Sequence, residues 1–349
     1  MTPRNVVIEG DALQVLRTFP ESSVDCVVTS PPYFNVRLYK SGKAELGQEA
    51  GIEGWVAHLR DVAAELARVL VPWGGFWLNV GDVYARTRGE GAPPKSLLLG
   101  PERLVQVLLA DGWLVRNRVA WAKSNPMPSP AADRLTPSWE FVYFLVRSGS
   151  YFFDLDAIRE PAVSARRPGR VSLRIRRGRR DHGHSGLGQM QRLGRSAHPL
   201  GKNPGDWWRI GGSRSSQHPA TFPAELIRRP ILATCPEKVC QKCGKPWERS
   251  RSTVGFIQGE PKPRPLVACG CMAPTRPGLV LDPFMGSGTT AEVAKAYGRD
   301  WLGIELNPAY VRLAERHAGS SKRGWPTGRR EGDALPADRL SHRRLTEVT

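Results

Sequence analysis

The sequence lacks any apolar run that approaches the roughly 20 residues needed to cross a bilayer, and no signal-peptide pattern follows Met1. We therefore expect no membrane partner and a location in the cytoplasm. Acidic residues are scarce as well, because 33 Asp and Glu stand against 51 Lys and Arg, which gives a formal net charge of +18. A surplus of this size favours a polyanionic partner such as nucleic acid, since each neutralised phosphate releases counterions.

Cysteine is rare outside one short segment, because five of the six cysteines lie within residues 235–271. In a chain without export signals, such a cluster predicts metal ligands rather than disulfides. Cys240 and Cys243 form a C-x-x-C string, and Cys269 and Cys271 form a second pair. Four thiolates in two close pairs suit a tetrahedral structural zinc site. The alternative is a set of reduced cysteines without metal.

Short β-like and helical patterns alternate through the first half of the 349 residues. Compact apolar strands are predicted at residues 24–28 and 75–80, and apolar residues recur at helical spacing over residues 55–70. With 40% hydrophobic residues, the chain can bury one large core with room for a smaller module. The alternation predicts an α/β fold with a doubly wound, mostly parallel sheet and helices on both faces.

The alternation stops near residue 159, where an Arg-, Gly- and Ser-rich segment begins. Arginines in this segment can pair with phosphates or with guanine edges, and a solvated linker is the alternative. Its densest part contains Arg174, Arg176, Arg177, Arg179 and Arg180. The chain then divides into five parts. The core is expected in two halves, residues 1–158 and residues 217–235 with 274–318. The basic segment takes residues 159–216, the cysteine-rich insert residues 236–273, and a basic, loosely ordered tail residues 319–349.

A strand, a glycine loop and a helix are predicted from residue 279 onward. Asp282 ends the strand, and Gly286 and Gly288 let the backbone approach a ligand closely before the helix begins. The G-x-G-x-x-G spacing of dinucleotide sites is absent. The next predicted strand ends at Glu305, where a carboxylate is placed to accept hydrogen bonds from ribose hydroxyls. A plain strand–loop–helix turn is the alternative.

The residues Thr29-Ser30-Pro31-Pro32-Tyr33 follow the first apolar strand directly. The two prolines stop the strand and fix the shape of the loop. We expect the Ser30 hydroxyl and the Pro31 carbonyl to accept hydrogen bonds from the exocyclic amine of a base, which aims the amine lone pair at a methyl donor. The aromatic face of Tyr33 can hold an extruded base by stacking. A simple proline turn is the alternative.

Together these two segments resemble the permuted (β-type) group of N4-cytosine and N6-adenine DNA methyltransferases, in which the catalytic motif precedes the cofactor motif. The resemblance covers most of the chain outside the basic segment, the insert and the tail. It implies a Rossmann-like methyltransferase fold, S-adenosylmethionine as cofactor and double-stranded DNA as substrate. It also implies that residues 159–216 are the target-recognition region, and it makes a cognate restriction endonuclease a partner to test for.

The resemblance also implies roles for single residues. Asp11 is similar to the acid that contacts the adenine of the cofactor, and Asp333, in an echo of the same segment, is the alternative. Trp121 falls where the group often has an aromatic residue lining the base pocket, although a core position is equally compatible. Cys235 belongs to the parent fold rather than to the zinc site. The implied cofactor residues are Asp11, Phe222, Asp282, Phe284, Gly286, Gly288, Thr289 and Glu305, and the implied catalytic residues are Ser30, Pro31, Pro32 and Tyr33.

The first residue of the catalytic motif bears on the identity of the target base. Members of the group with serine first in the catalytic motif are mostly cytosine-N4 enzymes, so Ser30 favours cytosine N4, with adenine N6 as the alternative. C5-methylation is disfavoured because it needs a thiolate nucleophile, and Cys26, the nearest cysteine, sits in mid-strand. Methylation of RNA or of a protein amide is a further alternative. A non-catalytic DNA-binding protein is another, against which the intact acids argue.

Overall fold

The computed structural model describes residues 2–36, 46–161, 198–212, 222–250 and 263–319, with the backbone of 256–257 and 260–261. Within these ranges the helices are α1 (Ala12–Arg17), α2 (Ile52–Val69), α3 (Gly100–Ala110), α4 (Ala224–Thr234), α5 (Thr289–Ala296) and α6 (Pro308–Gly319). The strands are β1 (Val6–Glu9), β2 (Val24–Thr29), β3 (Leu70–Val80), β4 (Leu114–Lys123), β5 (Trp139–Val146), β6 (Trp207–Ile210), β7 (Val239–Cys240), β8 (Glu248–Arg249), β9 (Phe256–Ile257), β10 (Glu260–Pro261), β11 (Leu266–Val267), β12 (Thr275–Arg276), β13 (Leu279–Asp282) and β14 (Asp300–Glu305).

Eight of these strands form one sheet in the order β1-β14-β13-β2-β3-β5-β4-β6. The first five strands in that order run parallel, β5 runs antiparallel to both of its neighbours, and β6 is parallel to β4. Helices cover both faces: α1, α2 and α3 pack on one core, and α4, α5 and α6 pack on the other. The predicted doubly wound, mostly parallel sheet is therefore confirmed.

The apolar spacing within α2 explains how one face of the sheet is covered. Trp55, Leu59, Val62 and Leu66 recur every three or four residues and are all buried. The helix ends at Val69 because Leu70 adopts an extended conformation, and Leu70 then pairs with Val24 of β2. The strand predicted to begin at residue 75 consequently begins at Leu70, five residues earlier than the pattern indicated.

Strands β2 and β13 are neighbours at the centre of the sheet, although most of the chain separates them. Cys26 pairs with Val280, and Val27 pairs with Leu281. Every residue of both strands is buried, as expected for parallel strands covered on two faces. Because parallel strands end at the same edge of a sheet, the loop after Thr29 and the loop after Asp282 meet there.

The cysteine-rich insert consists of short antiparallel ladders, and β7 pairs with β12, β8 with β11 and β9 with β10. The pairing of Cys240 with Thr275 and of Val239 with Arg276 joins β12 to the insert predicted at residues 236–273. Two of its arginines reach the core. Arg249 donates to Asp154 at 2.8 Å, and Arg264 donates to Asp156 at 2.7 Å. Both aspartates lie in the turn that leads into the predicted recognition region.

Only part of that recognition region lies within the described residues. Within that described part, β6 adds to the edge of the core sheet, where Trp208 pairs with Trp121. The arginines predicted to bind DNA, from Arg174 to Arg180, lie outside the described residues, as do residues 213–221 and Asp333. No helix in the described part of the chain has the length and apolar character that a membrane span requires.

Candidate active site and cysteine cluster

A hydrogen bond joins the two loops that the sequence singled out. The Thr29 hydroxyl donates to Asp282 Oδ1 at 2.5 Å, and the Thr290 hydroxyl donates to Asp282 Oδ2 at 2.7 Å. The backbone N–H of Phe284 adds a third hydrogen bond to Asp282 Oδ1 at 3.1 Å. The carboxylate is thus bound by the strand β2, by its own loop and by the helix that follows the loop.

Asp282 is 0% exposed, so all of its contacts are with the protein itself. Burial raises its pKa to about 6, although the hydroxyls of Thr29 and Thr290 and the N–H of Phe284 act in the opposite direction. The side chain expected to bind the cofactor is therefore directed into the protein. Its position suits the task of holding the shape of the glycine loop.

The glycine loop has the backbone freedom that its sequence indicated. Gly286 has φ 55° and Gly288 has φ 87°, and a β-carbon on Gly288 would lie 2.8 Å from the Cα of Ala314. Glu305 faces this loop from the end of β14. Its carboxylate accepts hydrogen bonds from the backbone N–H groups of Gly286 and Asn307, both at 2.8 Å. These bonds fix the orientation of Glu305, while its burial raises the pKa of the carboxyl.

Asp11 lies at the same edge of the sheet as Glu305. Strand β1 pairs in parallel with β14, so Glu9 is level with Glu305, and the N–H of Gly10 donates to the Glu305 carbonyl at 3.0 Å. Asp11 then caps α1 by accepting a hydrogen bond from the N–H of Gln14 at 2.9 Å. Its side chain is partly exposed. Two partly exposed acids, Asp11 and Glu305, therefore stand at the ends of adjacent strands.

The proline loop is held from several sides. Pro31 is buried, and the carbonyl of Pro32 accepts a hydrogen bond from the indole N–H of Trp55 at 2.9 Å. An apolar cavity is lined by Thr29, Pro31 and Phe284, which brings together one residue of the glycine loop and two of the catalytic segment. Ser30 lies between these fixed positions and is partly exposed. The loop is thus held at Pro31 and Pro32, and its rigidity, expected from two consecutive prolines, stays a prediction.

Tyr33 is positioned by residues that sequence reasoning missed. Its hydroxyl donates to Glu140 Oε2 at 2.9 Å and lies 3.4 Å from Asn79 Oδ1. Lys123 forms an ion pair with the other oxygen of Glu140. A β-carbon at residue 81 would lie 2.8 Å from Tyr33 Cε2, so Gly81 is required beside the ring. A polar residue at the start of an otherwise apolar strand was the available signal for Glu140.

Two further candidates are placed among core residues. Trp121 is 4% exposed, belongs to the core on the α4 face and donates its indole N–H to the Ile210 carbonyl at 3.0 Å. Of the two interpretations that the sequence left open, this placement is the core position. Phe222 is partly buried and packs against the same core. The residues that precede it in the predicted cofactor-closing segment lie outside the described ranges.

The structure brings the four predicted zinc ligands together. Cys240, Cys243, Cys269 and Cys271 form a group whose sulfur atoms all lie within 4.8 Å of one another. Four thiolates at this separation can hold one tetrahedral metal ion. Cys235 is buried elsewhere, in the core on the α4 face. Burial raises the pKa of its thiol well above the usual range, which favours an inert, protonated thiol.

Comparison with known proteins identifies relatives along almost the whole chain. A family model described as DNA methylase matches residues 24–316. The type II methyltransferase M.XycI of Xanthomonas campestris pv. cyanopsidis is 33% identical over 333 residues, which cover 89% of this chain and 86% of the relative. The type II methyltransferase M.Cfr9I of Citrobacter freundii is 32% identical, over 88% of this chain and 85% of the relative.

Solved structures show the same architecture. The PvuII DNA methyltransferase, described as cytosine-N4-specific, superposes with a TM-score of 0.58 at 20% identity, over 92% of this chain and 88% of its own. A putative DNA modification methylase from Thermus thermophilus, solved as a complex with S-adenosyl-L-methionine, gives a TM-score of 0.51 at 26% identity, over 90% of this chain and 93% of its own. The doubly wound sheet described above is therefore shared with structurally characterised proteins.

Proposed function

The chain belongs to the DNA methylase family, and from that premise we propose that it transfers a methyl group from S-adenosylmethionine to the N4 amine of cytosine in duplex DNA. The observation that carries the proposal is the bond between Thr29 and Asp282, because it joins the amine-binding loop to the glycine loop at one edge of the sheet. The neutral hydroxyl of Ser30 supports cytosine as the base. Adenine N6 is the second candidate, since its amine has the same hydrogen-bonding needs.

The residues at this edge fit the cofactor. Glu305 is held in place by two backbone N–H groups, which leaves its orientation suited to ribose hydroxyls. Gly286 and Gly288 give the loop the left-handed backbone of a tight turn, and we assign the contact with the adenine to Asp11. When bound, S-adenosylmethionine supplies an electrophilic methyl group on sulfonium. The proposed holding residues are completed by Phe222, Phe284 and Thr289, with Asp282 acting indirectly through the shape of the loop.

The protein's own contribution is to extrude, hold and orient the base. We assign stacking to Tyr33, whose ring is fixed by Glu140 and Gly81. Ser30 Oγ and the Pro31 carbonyl accept hydrogen bonds from the two amine protons, so the nitrogen lone pair is directed toward the methyl group. Pro32 fixes the loop through Trp55. Direct transfer needs no covalent intermediate. The amine nitrogen would gain the methyl group as the methyl–sulfur bond of the sulfonium breaks to leave a thioether, and the nitrogen would give up one proton to water.

Methyl transfer from labelled cofactor tests the proposal, with duplex DNA, RNA and protein as parallel acceptors. Nucleoside analysis of the DNA should show N4-methylcytosine. N6-methyladenine in its place would support the second candidate function, methylation of adenine N6. Ser30→Ala and Tyr33→Ala should abolish or greatly slow transfer while cofactor binding survives. Label in RNA or protein alone, or no label in any acceptor, would contradict the proposal. Sequencing of modified bases in cells that express the protein would give the recognition site.

We further propose that the cluster of Cys240, Cys243, Cys269 and Cys271 holds one structural zinc ion, supported by the mutual distances of the sulfur atoms. Recognition of the DNA sequence is assigned to residues 159–216, of which β6 is the strand that joins the core sheet. Two relatives are type II methyltransferases by name, so a cognate restriction endonuclease is the expected functional partner. Protection of methylated DNA from a nuclease encoded beside the gene would test that partnership.

A further inference from the structure

Small side chains lie between large ones on one face of the strands β5, β4 and β6. The register pairs Ala120 and Ala122 of β4 with residues of β5 on one side and with residues of β6 on the other. Residues that pair across neighbouring strands point to the same face of a sheet. The two alanines are therefore the floor, and large side chains form the walls. We name this surface the tryptophan trough: Trp139 and Phe141 on β5, Ala120 and Ala122 on β4, and Trp207 and Arg209 on β6.

The trough is open to solvent although its walls are aromatic. Trp139 is 52% exposed and Trp207 is 63% exposed. On the opposite face of the same strands, Trp121 and Trp208 are buried in the core. A single exposed apolar side chain needs no explanation, but two indoles that flank one groove form a patch of the kind that marks a binding surface.

Positive charge accompanies the aromatic rings. Arg118 of β4 is exposed, and its guanidinium lies over the ring of Phe141 at 4.6 Å from the centroid. The ring of Phe141 in turn meets Trp139 edge to face, with centroids 4.6 Å apart. Arg209 adds a second exposed cation on the opposite wall. Arginine interleaved with aromatic rings is the composition that binds nucleic acid, through phosphate pairing and base stacking.

The position of the trough agrees with that partner. Trp139 adjoins Glu140 in β5, and Glu140 accepts the hydrogen bond from the Tyr33 hydroxyl. The two side chains point to opposite faces of the sheet, so the trough begins at the strand end that contacts the catalytic loop, on the other face. Its other wall is β6, which belongs to the region assigned to target recognition. The trough thus extends from the end of β5 that carries Glu140 to β6, a strand of the region assigned to target recognition.

We propose that the tryptophan trough binds the DNA strand next to the extruded base, with the indoles stacking on neighbouring bases or sugars and the arginines pairing with phosphates. The proposal rests on the proposed function for its partner. Extrusion removes one base from the stack, and aromatic side chains can replace the stacking that its neighbours lose. The trough would therefore lower the cost of extrusion as well as add affinity.

Binding of a fluorescein-labelled duplex of mixed sequence, with and without a central mismatch, tests this proposal. Trp139→Ala and Trp207→Ala should each weaken binding by roughly tenfold, the size expected for loss of one stacking side chain. Leu109→Ala is the matched control, because Leu109 is an exposed apolar residue on α3, outside the trough. Arg118→Ala should reduce the salt dependence of binding by about one counterion. Arg17→Ala, an exposed arginine on α1, should leave the salt dependence unchanged.

The outcomes separate this proposal from the one on which it rests. If the wild-type protein binds and methylates DNA but both tryptophan variants bind as tightly as Leu109→Ala, the trough has no role in DNA binding. If the wild-type protein neither binds nor methylates DNA, the proposed function fails first. Light scattering tests whether a second copy of the chain occupies the trough instead. A changed oligomeric state of the variant with both Trp139→Ala and Trp207→Ala, at unchanged DNA affinity, would make the trough a contact between two copies. Equal melting temperatures would show that each variant is folded.

Discussion

The hydroxyl of Thr29 donates a 2.5 Å hydrogen bond to the buried carboxylate of Asp282, across 253 positions of sequence. Thr29 ends the strand that leads into the catalytic loop, and Asp282 ends the strand that leads into the glycine loop. A buried carboxylate needs its donors, so a change at one loop is felt at the other. The hydrogen bond therefore couples the catalytic loop to the glycine loop.

Removal of the Thr29 hydroxyl should therefore weaken both the fold and cofactor binding. Thr29→Val keeps the shape of the side chain but withdraws one donor from Asp282, and we expect a loss of about 1–3 kcal/mol in the free energy of unfolding. Thr29→Ser should restore most of it. Urea denaturation measures the free energy of unfolding, and a titration with cofactor measures the binding affinity. Equal stability of the valine and serine variants would show that the hydrogen bond contributes little.

The raised pKa of Asp282 predicts a pH-dependent stability. In the unfolded chain this carboxyl titrates near 3.9, and in the folded protein burial raises its pKa to about 6. The neutral form is thus favoured by folding, and this stabilising contribution is present below pH 4 and is lost as the pH rises to 6. Asp282→Asn is neutral throughout. Its stability relative to wild type should rise by about 3 kcal/mol between pH 4 and 6 and stay level above.

Denaturation of both proteins at a series of pH values gives that difference directly, because other titrating groups cancel between them. A difference that is independent of pH would mean that Asp282 stays charged over the whole range. Cofactor affinity of Asp282→Asn adds a second readout. If the carboxylate only shapes the loop, affinity should remain close to that of wild type.

Glu140 should act on catalysis through the position of Tyr33. Glu140→Ala removes the nearer acceptor of the Tyr33 hydroxyl and leaves Asn79 Oδ1 at 3.4 Å, and a misplaced stacking ring should lower kcat by about tenfold or more while cofactor affinity is unchanged. Glu140→Gln keeps an acceptor oxygen and should retain more activity. In a double-mutant cycle with Tyr33→Phe, the two losses should not add, because both break the same bond. Additive losses would place Glu140 in another role.

The attachment of the insert gives a prediction with a built-in comparison. Among the described residues, Asp154 has Arg249 as its arginine partner, whereas Asp156 is shared by Arg264 and Arg159. Arg249→Ala leaves a nearly buried carboxylate without an ion pair and should destabilise the protein by about 3–5 kcal/mol. Arg264→Ala should cost less, since Arg159 remains. Thermal unfolding of the two variants shows which substitution costs more stability. A larger loss in Arg264→Ala than in Arg249→Ala would contradict this assignment of ion pairs.

Thiol chemistry can test the zinc site. Burial raises the pKa of Cys26 to about 12 and that of Cys235 well above its ordinary value, so neither should react with a thiol reagent in the folded protein. Reactive thiols should therefore be few in the purified protein and should appear at the four cluster cysteines after chelation. Metal analysis should find one zinc per chain, and Cys243→Ser should lose it. Full reactivity of the cluster before chelation, or absence of zinc, would refute the site.

Sequence reasoning reached the two loops and their meeting point, because both loops follow apolar strands and parallel strands end at one edge. It did not reach Glu140 or Lys123, because the contact of Glu140 with Tyr33 depends on how the strands are placed in the sheet, and the ion pair of Lys123 with Glu140 depends on the register between β4 and β5. The direction of Asp282 was also beyond it, since a carboxylate at a strand end can face a ligand or a neighbouring loop. The pairing of Thr275 with Cys240 was also beyond it, since strands of two residues leave no periodic pattern.

The pairing of β2 with β13 has a consequence for how the chain is made. In the described part of the chain, one edge of β2 is completed by Val280 and Leu281 of β13. A ribosome that adds about 5–20 residues per second needs roughly 13–50 seconds to synthesise the part of the chain between β2 and β13. During this interval an apolar strand edge has no partner, and such edges promote aggregation. Slower growth at lower temperature, or a chaperone that shields β2 until the second half emerges, should accordingly raise the yield of folded protein.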